Sequence, residues 1–162
     1  MQIRIGFEHV FSGQSTELEN AFALRALLDC LTTINVGCMR RRSLPRLYES
    51  GVRYRRIDLW EPVVEIYSRG FADCKGLSCI LCAEYRLQGI EAFPVFRFAE
   101  NNRGGNDFHI LVAVPSRQGY DGAMFEDPSV KLGMNEESIS RYRGAIVGFQ
   151  HDKKCARILD GL

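Results

Sequence analysis

The chain has 162 residues, a length that suits one domain with a sizeable core. Its hydrophobic content of 46% and charged content of 25% are those of an ordinary globular protein, and its net charge of +1 predicts no general attraction to nucleic acid or anionic membranes. No apolar run approaches a membrane span, and the first residues lack the layout of a secretory signal. We therefore expect one domain over residues 1–162, with no leader-directed export and no membrane partner.

The first predicted elements are a strand and a helix. Apolar side chains alternate along Gln2–Phe11, which is typical of a half-buried strand. Thr16 and Glu19 match a capping box, in which each side chain bonds a free backbone N–H of the first helical turn. A helix is expected from there to about Asn35, with Gly37 ending it. The residues of both elements are typical of core packing, and none of them indicates a catalytic or binding role.

A basic stretch follows, from Arg40 to Arg56. It contains one acid, Glu49, against seven arginines: Arg40, Arg41, Arg42, Arg46, Arg53, Arg55 and Arg56. One interpretation is a docking face for an acidic protein partner or a nucleic-acid backbone. The other is a solvated connector whose arginines pair with acids elsewhere. Only Tyr48 and Tyr54 interrupt the stretch as aromatic residues, which argues against nucleic acid.

The segment Asp58–Gly70 is predicted to form a short helix. Asp58 and Glu61 match a capping pair at its start, and Gly70 is a natural stop. Trp60, the single tryptophan, precedes the residues that carry the candidate chemistry. Two roles for it stay open, an anchor in the core and a wall of a substrate cleft.

The stretch Phe71–Gly89 has the clearest pattern in the chain. Asp73 is a preferred N-cap type, and Gly89 suits the position just past the last turn. Apolar side chains recur at helical spacing between them and are expected to face a core: Leu77, Ile80, Leu81 and Tyr85. This pattern places Cys74 in the first turn. The positive end of the helix dipole favours a thiolate there, and the thiolate is the reactive form of cysteine.

Three strands are predicted after this helix. The first is the aromatic run Ile90–Ala99, which Pro94 places at a sheet edge. Phe108–Val114 is continuously apolar, as in a strand buried on both faces, and Ala123–Glu126 is a short returning strand. The set predicts an antiparallel meander behind the Cys74 helix and therefore an α+β fold class.

The end of the chain is predicted to contain a brief helix and two strands. Asn135, followed by two glutamates, is suited to start the helix. Ala145–Phe149 is expected to be a strand, and Lys153–Leu159 is expected to pair with it. No internal repeat or interdomain linker is visible.

Three histidines are available as a base for Cys74. His109 is best placed, because it begins a predicted buried strand just after a glycine-rich loop. His9 lies on the apolar side of its strand and is interpreted as a core or edge histidine, while His151 lies in a polar turn. Asp127 ends the neighbouring strand, from which a carboxylate can orient the imidazole. The candidate catalytic residues are therefore Cys74, His109 and Asp127.

These motifs resemble the transglutaminase-like family. The run Asp-Cys-Lys-Gly at residues 73–76 leads into an apolar helix that ends in Leu-Gln-Gly-Ile-Glu-Ala at residues 87–92. A histidine at a strand start and an aspartate before Pro128 follow in the family order, so the resemblance covers about residues 60–134. The run Phe-Glu-Asp-Pro-Ser-Val-Lys-Leu-Gly-Met at residues 125–134 is similar to bacteriophage-borne members. The chain departs from the family pattern at Ala72 and Leu111, near the expected cleft.

The resemblance implies a papain-like fold, with the nucleophile helix packed on an antiparallel sheet. It also implies acyl transfer by a Cys74–His109–Asp127 triad, as in a cysteine peptidase or hydrolase, with a protein or peptide substrate and no cofactor. Water as the acceptor gives hydrolysis, and an amine gives cross-linking. A phage origin implies a location in the host cytoplasm or in the virion, and other virion proteins as partners of the Arg40–Arg56 stretch.

Two alternatives stay open beside catalysis. The chain is also compatible with a non-catalytic virion structural or assembly protein that uses the same fold. The spacing Cys74-x4-Cys79-x2-Cys82, with Cys155 as a fourth ligand, matches a plant-type iron–sulfur pattern or a zinc site. A regular helix argues against the metal site, because it spreads the three thiols over a wide arc, and Cys79 and Cys82 are then core thiols.

Overall fold

The structure of the protein, a computed structural model, describes residues 17–100, 106–116 and 119–142. The helices are α1 (Glu17–Arg41), α2 (Val63–Arg69), α3 (Cys74–Leu87), α4 (Pro128–Lys131) and α5 (Glu136–Ser140), with a 3₁₀ turn at Leu47–Glu49. The strands are β1 (Arg53–Tyr54), β2 (Phe71–Ala72), β3 (Phe93–Glu100), β4 (Asn106–Ser116) and β5 (Gly119–Glu126). The strands predicted at 2–11, 145–149 and 153–159, together with Thr16, His9, His151 and Cys155, lie outside the described residues.

An antiparallel sheet of three strands, in the order β3–β4–β5, forms one layer. The predicted meander is therefore confirmed, and helices beside an antiparallel sheet give the chain its mixed α and β character. Pro94 lies in β3 opposite Val112, in an outer strand of the described sheet, where a missing N–H leaves no central ladder bond unmade. Buried side chains run along β4 from His109 to Ala113, as expected for its central place.

Helix α3 is the centre of the packing. Every residue from Lys75 to Glu84 is buried, so neighbouring elements surround the helix on all sides. The predicted cap is present, because an Asp73 Oδ1 atom accepts from the N–H of Gly76 at 3.2 Å. One face packs on the sheet and on α1, and another packs on α2, β2 and the 3₁₀ turn.

A second, parallel pair of strands lies before α3 and has no counterpart among the predicted elements. β1 and β2 pair in the register Arg53↔Phe71 and Tyr54↔Ala72. The N–H of Arg55 donates to the carbonyl of Ala72 at 2.8 Å, which extends the ladder by one residue. Strands of two residues are too short to show a period, so the sequence pattern does not reveal them.

Two helix boundaries differ from the expectation. α1 continues through Gly37 to Arg41, because Cys38 and Met39 in its last turns pack against the core and outweigh the cost of an internal glycine. α2 begins at Val63 with Pro62 as its N-cap, so the predicted start at Asp58 is wrong.

The proposed Asp58–Glu61 capping pair is replaced by other contacts. Glu61 forms an ion pair with Arg69 in the last turn of α2, and the side chain of Asp58 is fully exposed. The predicted stop at Gly70 is confirmed, with a left-handed φ of 83°.

Gly76 is expected to be required for the close approach of α3 to its neighbours. A Cβ atom added there would lie 2.9 Å from Cδ1 of the buried Ile66 and 3.2 Å from Cβ of Ala72. We expect Gly76→Ala to lower the free energy of unfolding by roughly 1–3 kcal/mol, measured by urea denaturation.

Gly37→Ala is the matched control, because Gly37 is also helical and the nearest atom to its added Cβ is the Arg41 side chain at 3.4 Å. This variant is expected to gain roughly 0.5–1 kcal/mol from helix propensity. A Gly76→Ala protein as stable as Gly37→Ala would contradict the steric explanation.

Candidate functional site

Cys74 is the first residue of α3 and is partly buried. It packs against a cluster that contains Leu28, Cys79, Phe96 and Ile110, so the thiol sits where the helix meets the sheet. The N–H of Cys74 has no acceptor within the helix, because the first four N–H groups of a helix lack partners there. The thiol and a free N–H donor are thus presented by the same residue.

His109 lies in β4 and is 2% exposed. Its Nε2 atom is 2.7 Å from Oδ2 of Asp127, the residue that follows β5. The other carboxylate oxygen of Asp127 accepts from the N–H groups of Ser129 at 2.9 Å and Val130 at 3.3 Å, and so caps α4. The carboxylate is held from both sides, which fixes the direction in which it presents Oδ2 to the imidazole.

The Cys74 side chain lines the same cleft as His109 and lies near enough to raise the pKa of the imidazole. Because Nε2 is bonded to Asp127, Nδ1 is the ring nitrogen left for the sulfur. Burial lowers the pKa of His109, but the hydrogen bond to Asp127 and the interaction with the Cys74 side chain outweigh that effect and raise the pKa from 6.5 to about 9. An imidazolium that is charged at neutral pH stabilises a neighbouring thiolate.

Tyr142 covers the imidazole. Its ring centroid lies 5.2 Å from that of His109, with the two planes tilted by 31°. Tyr142 follows α5 and is 8% exposed, so it shields the His109–Asp127 pair from water. A drier environment strengthens the ion pair and the hydrogen bonds within it.

A cleft of about 620 Å³ opens over these residues. Its walls include both polar and aromatic side chains, among them Tyr54, Arg56, Trp60, Lys75 and Phe108. Trp60 is 42% exposed, so of its two open roles the structure supports the cleft wall. The ring of Trp60 is therefore available to contact a substrate chain that enters the cleft.

Lys75 lies beside the nucleophile and is largely buried. Its ammonium group pairs with Asp73, donates to the carbonyl of Ile57 at 3.3 Å, and lies 5.5 Å from the centroid of Trp60. Burial raises the pKa of Asp73, and the Lys75 ammonium opposes that rise. The contacts of Lys75 tie the segment that carries Trp60 to the start of α3.

Glu126, adjacent to Asp127, is held by a separate network. Oε1 accepts from the hydroxyl of Tyr48 at 2.7 Å and from the ammonium of Lys131, and Oε2 accepts from the hydroxyl of Tyr85. Burial raises the pKa of Glu126, but these donors outweigh it and the pKa is lowered overall. The end of β5 is therefore attached to α3 and to the 3₁₀ turn at the point where Asp127 begins.

The other helix thiols are core residues. Cys79 and Cys82 are fully buried, and burial raises the pKa of Cys79 to about 12 and that of Cys82 well above its usual value. The thiol of Cys79 donates to the carbonyl of Leu28 at 3.4 Å. Across residues 17–100, 106–116 and 119–142, no three His, Cys, Asp or Glu side chains are grouped to bind a metal ion. Cys155 lies outside these ranges.

The arginines of the Arg40–Arg56 stretch are all exposed. In the described part of the chain, Arg56 is the member that pairs with an acid, Asp107, at 3.3 Å. Arg41 bonds the carbonyl of Gly37, and Arg55 lies over the ring of Phe71 at 4.7 Å. The solvated-connector interpretation expected these arginines to pair with acids elsewhere. In the described part of the chain, Arg56 meets that expectation. The same part of the chain has no helix both long and apolar enough to cross a membrane.

The structure brings together the three residues predicted as catalytic, Cys74, His109 and Asp127. Sequence reasoning did not assign Tyr142 or Lys75 to the site: Tyr142 lies in no recognisable motif, and Lys75, within the Asp-Cys-Lys-Gly run, carries no signal for a role of its own. A scan against protein-family models finds no match for the chain, and neither do searches of curated proteins and of solved structures.

The pKa of His109 is expected to depend on Asp127. In the intact protein the imidazole should titrate near pH 9, and Asp127→Asn should lower that value, because a neutral amide no longer favours the charged ring. The measurement is NMR titration of ¹³C-labelled histidine, with His109→Gln assigning the signal. A His109 that titrates near 6.5 in both proteins would contradict the described pair.

The same shift predicts a pH dependence of stability. A folded-state pKa of about 9 for His109 lies above the ordinary histidine value of 6.5, so the linked stabilisation is complete below pH 6.5 and is lost as pH rises through 9. The difference in unfolding free energy between the wild type and Asp127→Asn should therefore be largest below pH 6.5 and should shrink toward pH 9. Asn is also a good N-cap residue, so the substitution keeps the cap of α4 and its effect on stability reports the contact with His109. A difference that grows with pH would contradict the assignment.

Proposed function

We propose that the protein carries out thiol-dependent acyl transfer, most simply amide or peptide hydrolysis, in a transglutaminase-like variant of the papain-like fold. The observation that carries the proposal is the buried His109, which bonds Asp127 at 2.7 Å and lines the same open cleft as Cys74, the first residue of α3. A nucleophile, a base and an orienting carboxylate in contact are the parts that this chemistry needs.

The order of the three residues also supports the family resemblance. The cysteine begins the helix, the histidine lies on the middle strand of the sheet, and the aspartate follows the third strand. The departures at Ala72 and Leu111 are both buried, so neither reaches the cleft surface. The resemblance further suggests a bacteriophage context, with a host-cell or virion location.

The reaction follows from the contacts. The Cys74 thiolate attacks a carbonyl carbon, the carbonyl electron pair moves to oxygen, and the N–H of Cys74 stabilises that charge. His109 then gives its proton to the leaving amine as the C–N bond breaks, which leaves an acyl-thioester on Cys74. Water gives a proton to His109 as it attacks the thioester, the carbon–sulfur bond breaks, and the acid is released with the Cys74 thiolate and the His109 imidazolium restored. An amine in place of water gives a cross-link.

A second candidate function is docking in an assembly, with or without catalysis. The observation that favours it is the exposure of the arginines of the Arg40–Arg56 stretch, of which only Arg56 contacts an acid in the described part of the chain. Such a surface suits an acidic protein partner, for example another virion component. Long-range attraction of this kind weakens with salt.

Cys74 is expected to be the fast-reacting thiol of the native protein. In a background with Cys30→Ser, Cys38→Ser and Cys155→Ser, iodoacetamide should label Cys74 alone, because Cys79 and Cys82 are fully buried. His109→Ala should slow the labelling at neutral pH by roughly an order of magnitude or more, since the imidazolium that favours the thiolate is removed. Asp127→Asn should slow it less. The rates are measured by mass spectrometry of the modified peptide.

The control is the same labelling in 6 M guanidinium chloride, where contacts with His109 are lost. The catalytic proposal would be overturned if native Cys74 is labelled no faster than the unfolded thiol and if neither substitution changes its labelling rate. A non-catalytic role of the same fold would then be preferred.

The docking candidate predicts a loss of binding on charge reversal. Arg41→Glu with Arg42→Glu should weaken binding to a fluorescent polyglutamate probe at physiological salt, because two exposed cations become anions. Fluorescence anisotropy measures the affinity, and circular dichroism verifies the fold. Lys153→Glu with Lys154→Glu is the control with an equal change in net charge. Equal losses in the two proteins would argue against a local docking face.

A further inference from the structure

We propose that the hydroxyl of Tyr54 is a second oxyanion donor and acts with the N–H of Cys74 on the carbonyl oxygen of the substrate. The inference rests on the proposed function and adds a catalytic residue to it. One backbone N–H supplies a single hydrogen bond, whereas a tetrahedral oxyanion is stabilised best by two donors aimed at the same point.

The placement of Tyr54 beside the nucleophile is fixed by backbone hydrogen bonds. In the β1–β2 ladder Tyr54 is the partner of Ala72, two residues before Cys74. The N–H of Arg53 donates to the carbonyl of Gly70 at 3.1 Å, and the N–H of Arg55 donates to Ala72 at 2.8 Å. The N–H of Tyr54 itself points away from β2 and donates to the carbonyl of Leu132, just after α4, at 2.9 Å. The chain around Tyr54 is therefore tied both to the start of α3 and to the end of α4.

The ring of Tyr54 extends from this ladder into the active cleft. Tyr54 is partly buried, packs against the core cluster beneath α3, and lines the cleft together with Cys74 and His109. Its hydroxyl makes no hydrogen bond in the described part of the chain, so the donor is available to a ligand. A phenol held by its backbone and left without an acceptor has the preorganisation that an oxyanion donor requires.

The protonation state of Tyr54 suits a donor. Burial, followed by the negative charge that Cys74 carries as a thiolate, raises the pKa of Tyr54 to about 12. Cys74 is the charged group that acts most strongly on this hydroxyl. The phenol therefore keeps its proton throughout the neutral range, and it lies close to the atom that attacks the substrate.

Two other polar side chains at the cleft, Lys75 and Tyr142, are engaged by neighbouring groups. The Lys75 ammonium is paired with Asp73 and with the carbonyl of Ile57. Tyr142 stacks on His109, and its hydroxyl is influenced more by Asp107 and Arg56 than by Cys74. Of Lys75, Tyr142 and Tyr54, the last combines proximity to Cys74 with a donor that has no acceptor in the described part of the chain.

The step assigned to Tyr54 transfers no proton. As the sulfur–carbon bond forms, the carbonyl π electrons move to oxygen, and the Tyr54 O–H and the Cys74 N–H both donate to that oxygen. When the carbon–oxygen double bond re-forms, the leaving group departs with the proton of His109. Tyr54 ends the step as it began, as a neutral phenol.

Acylation and alkylation of Cys74 separate this role from any effect on the thiol itself. p-Nitrophenyl acetate acylates through a tetrahedral oxyanion, whereas iodoacetamide alkylates by displacement at carbon and forms none. In the Cys30→Ser, Cys38→Ser, Cys155→Ser background, Tyr54→Phe should slow the nitrophenolate burst on the order of 10²-fold and leave the alkylation rate unchanged. Tyr67→Phe is the matched control, because that hydroxyl donates to the carbonyl of Pro45 and Tyr67 does not line the cleft.

Each outcome decides the proposal. An unchanged burst in Tyr54→Phe, or equal slowing of acylation and alkylation, overturns the assignment of Tyr54 while the role of Cys74 stands. A burst that persists in Cys74→Ser overturns the proposed function itself.

A second measurement needs no variant and applies if Tyr54→Phe does not fold. The thiono analogue of the ester places sulfur, a weak acceptor, where the oxyanion forms, so wild-type Cys74 should discriminate against it far more than N-acetylcysteine does. Equal discrimination by the protein and by N-acetylcysteine would show that no such donor acts.

Discussion

The complete burial of α3 is the constraint on which the rest of the structure depends. A helix surrounded on every side must satisfy each polar group that it carries into the core. Ser78 does so by donating to the carbonyl of Ile110 in β4, and Glu84 by accepting the N–H of Leu47 in the 3₁₀ turn. Lys75 reaches the carbonyl of Ile57. The polar residues of the helix thus link it to the sheet, to the turn and to the cleft wall, and they specify where each of these packs.

The candidate site inherits its geometry from this arrangement. Cys74 is placed by the helix, His109 by the register of the strand to which Ser78 is bonded, and Asp127 by the cap of α4. None of the three depends on a long loop for its position. Preorganisation of this kind is what thiol chemistry needs, since proximity and orientation supply much of the rate.

The sequence predicted the parts of the fold that have a local signal. The Asp73 cap, the apolar face of α3 and the three-stranded meander carry such signals, and from them the meeting of Cys74, His109 and Asp127 followed. The end of α1 was missed because the packing of Cys38 and Met39 outweighs the low helix propensity of Gly37, and the start of α2 because Glu61 pairs with Arg69 rather than capping a helix at Asp58. The β1–β2 ladder was missed because two residues per strand give no periodicity, and the proximity of Tyr54 to Cys74 was hidden with it.

The neighbouring carboxylates at the end of β5 have a consequence for strand pairing. Glu126 is bound by two tyrosines and a lysine, and Asp127, one residue later, is bound by His109. A slip of one residue would place at most one acid at the other's position and would move the second acid away from both sets of donors. Glutamate is longer than aspartate by one methylene, so neither would fit the other's donors, and the slipped pairing would leave both sets of donors unmatched. The two adjacent acids therefore disfavour a one-residue shift in the pairing of β5, in addition to stabilising the observed register through their own contacts.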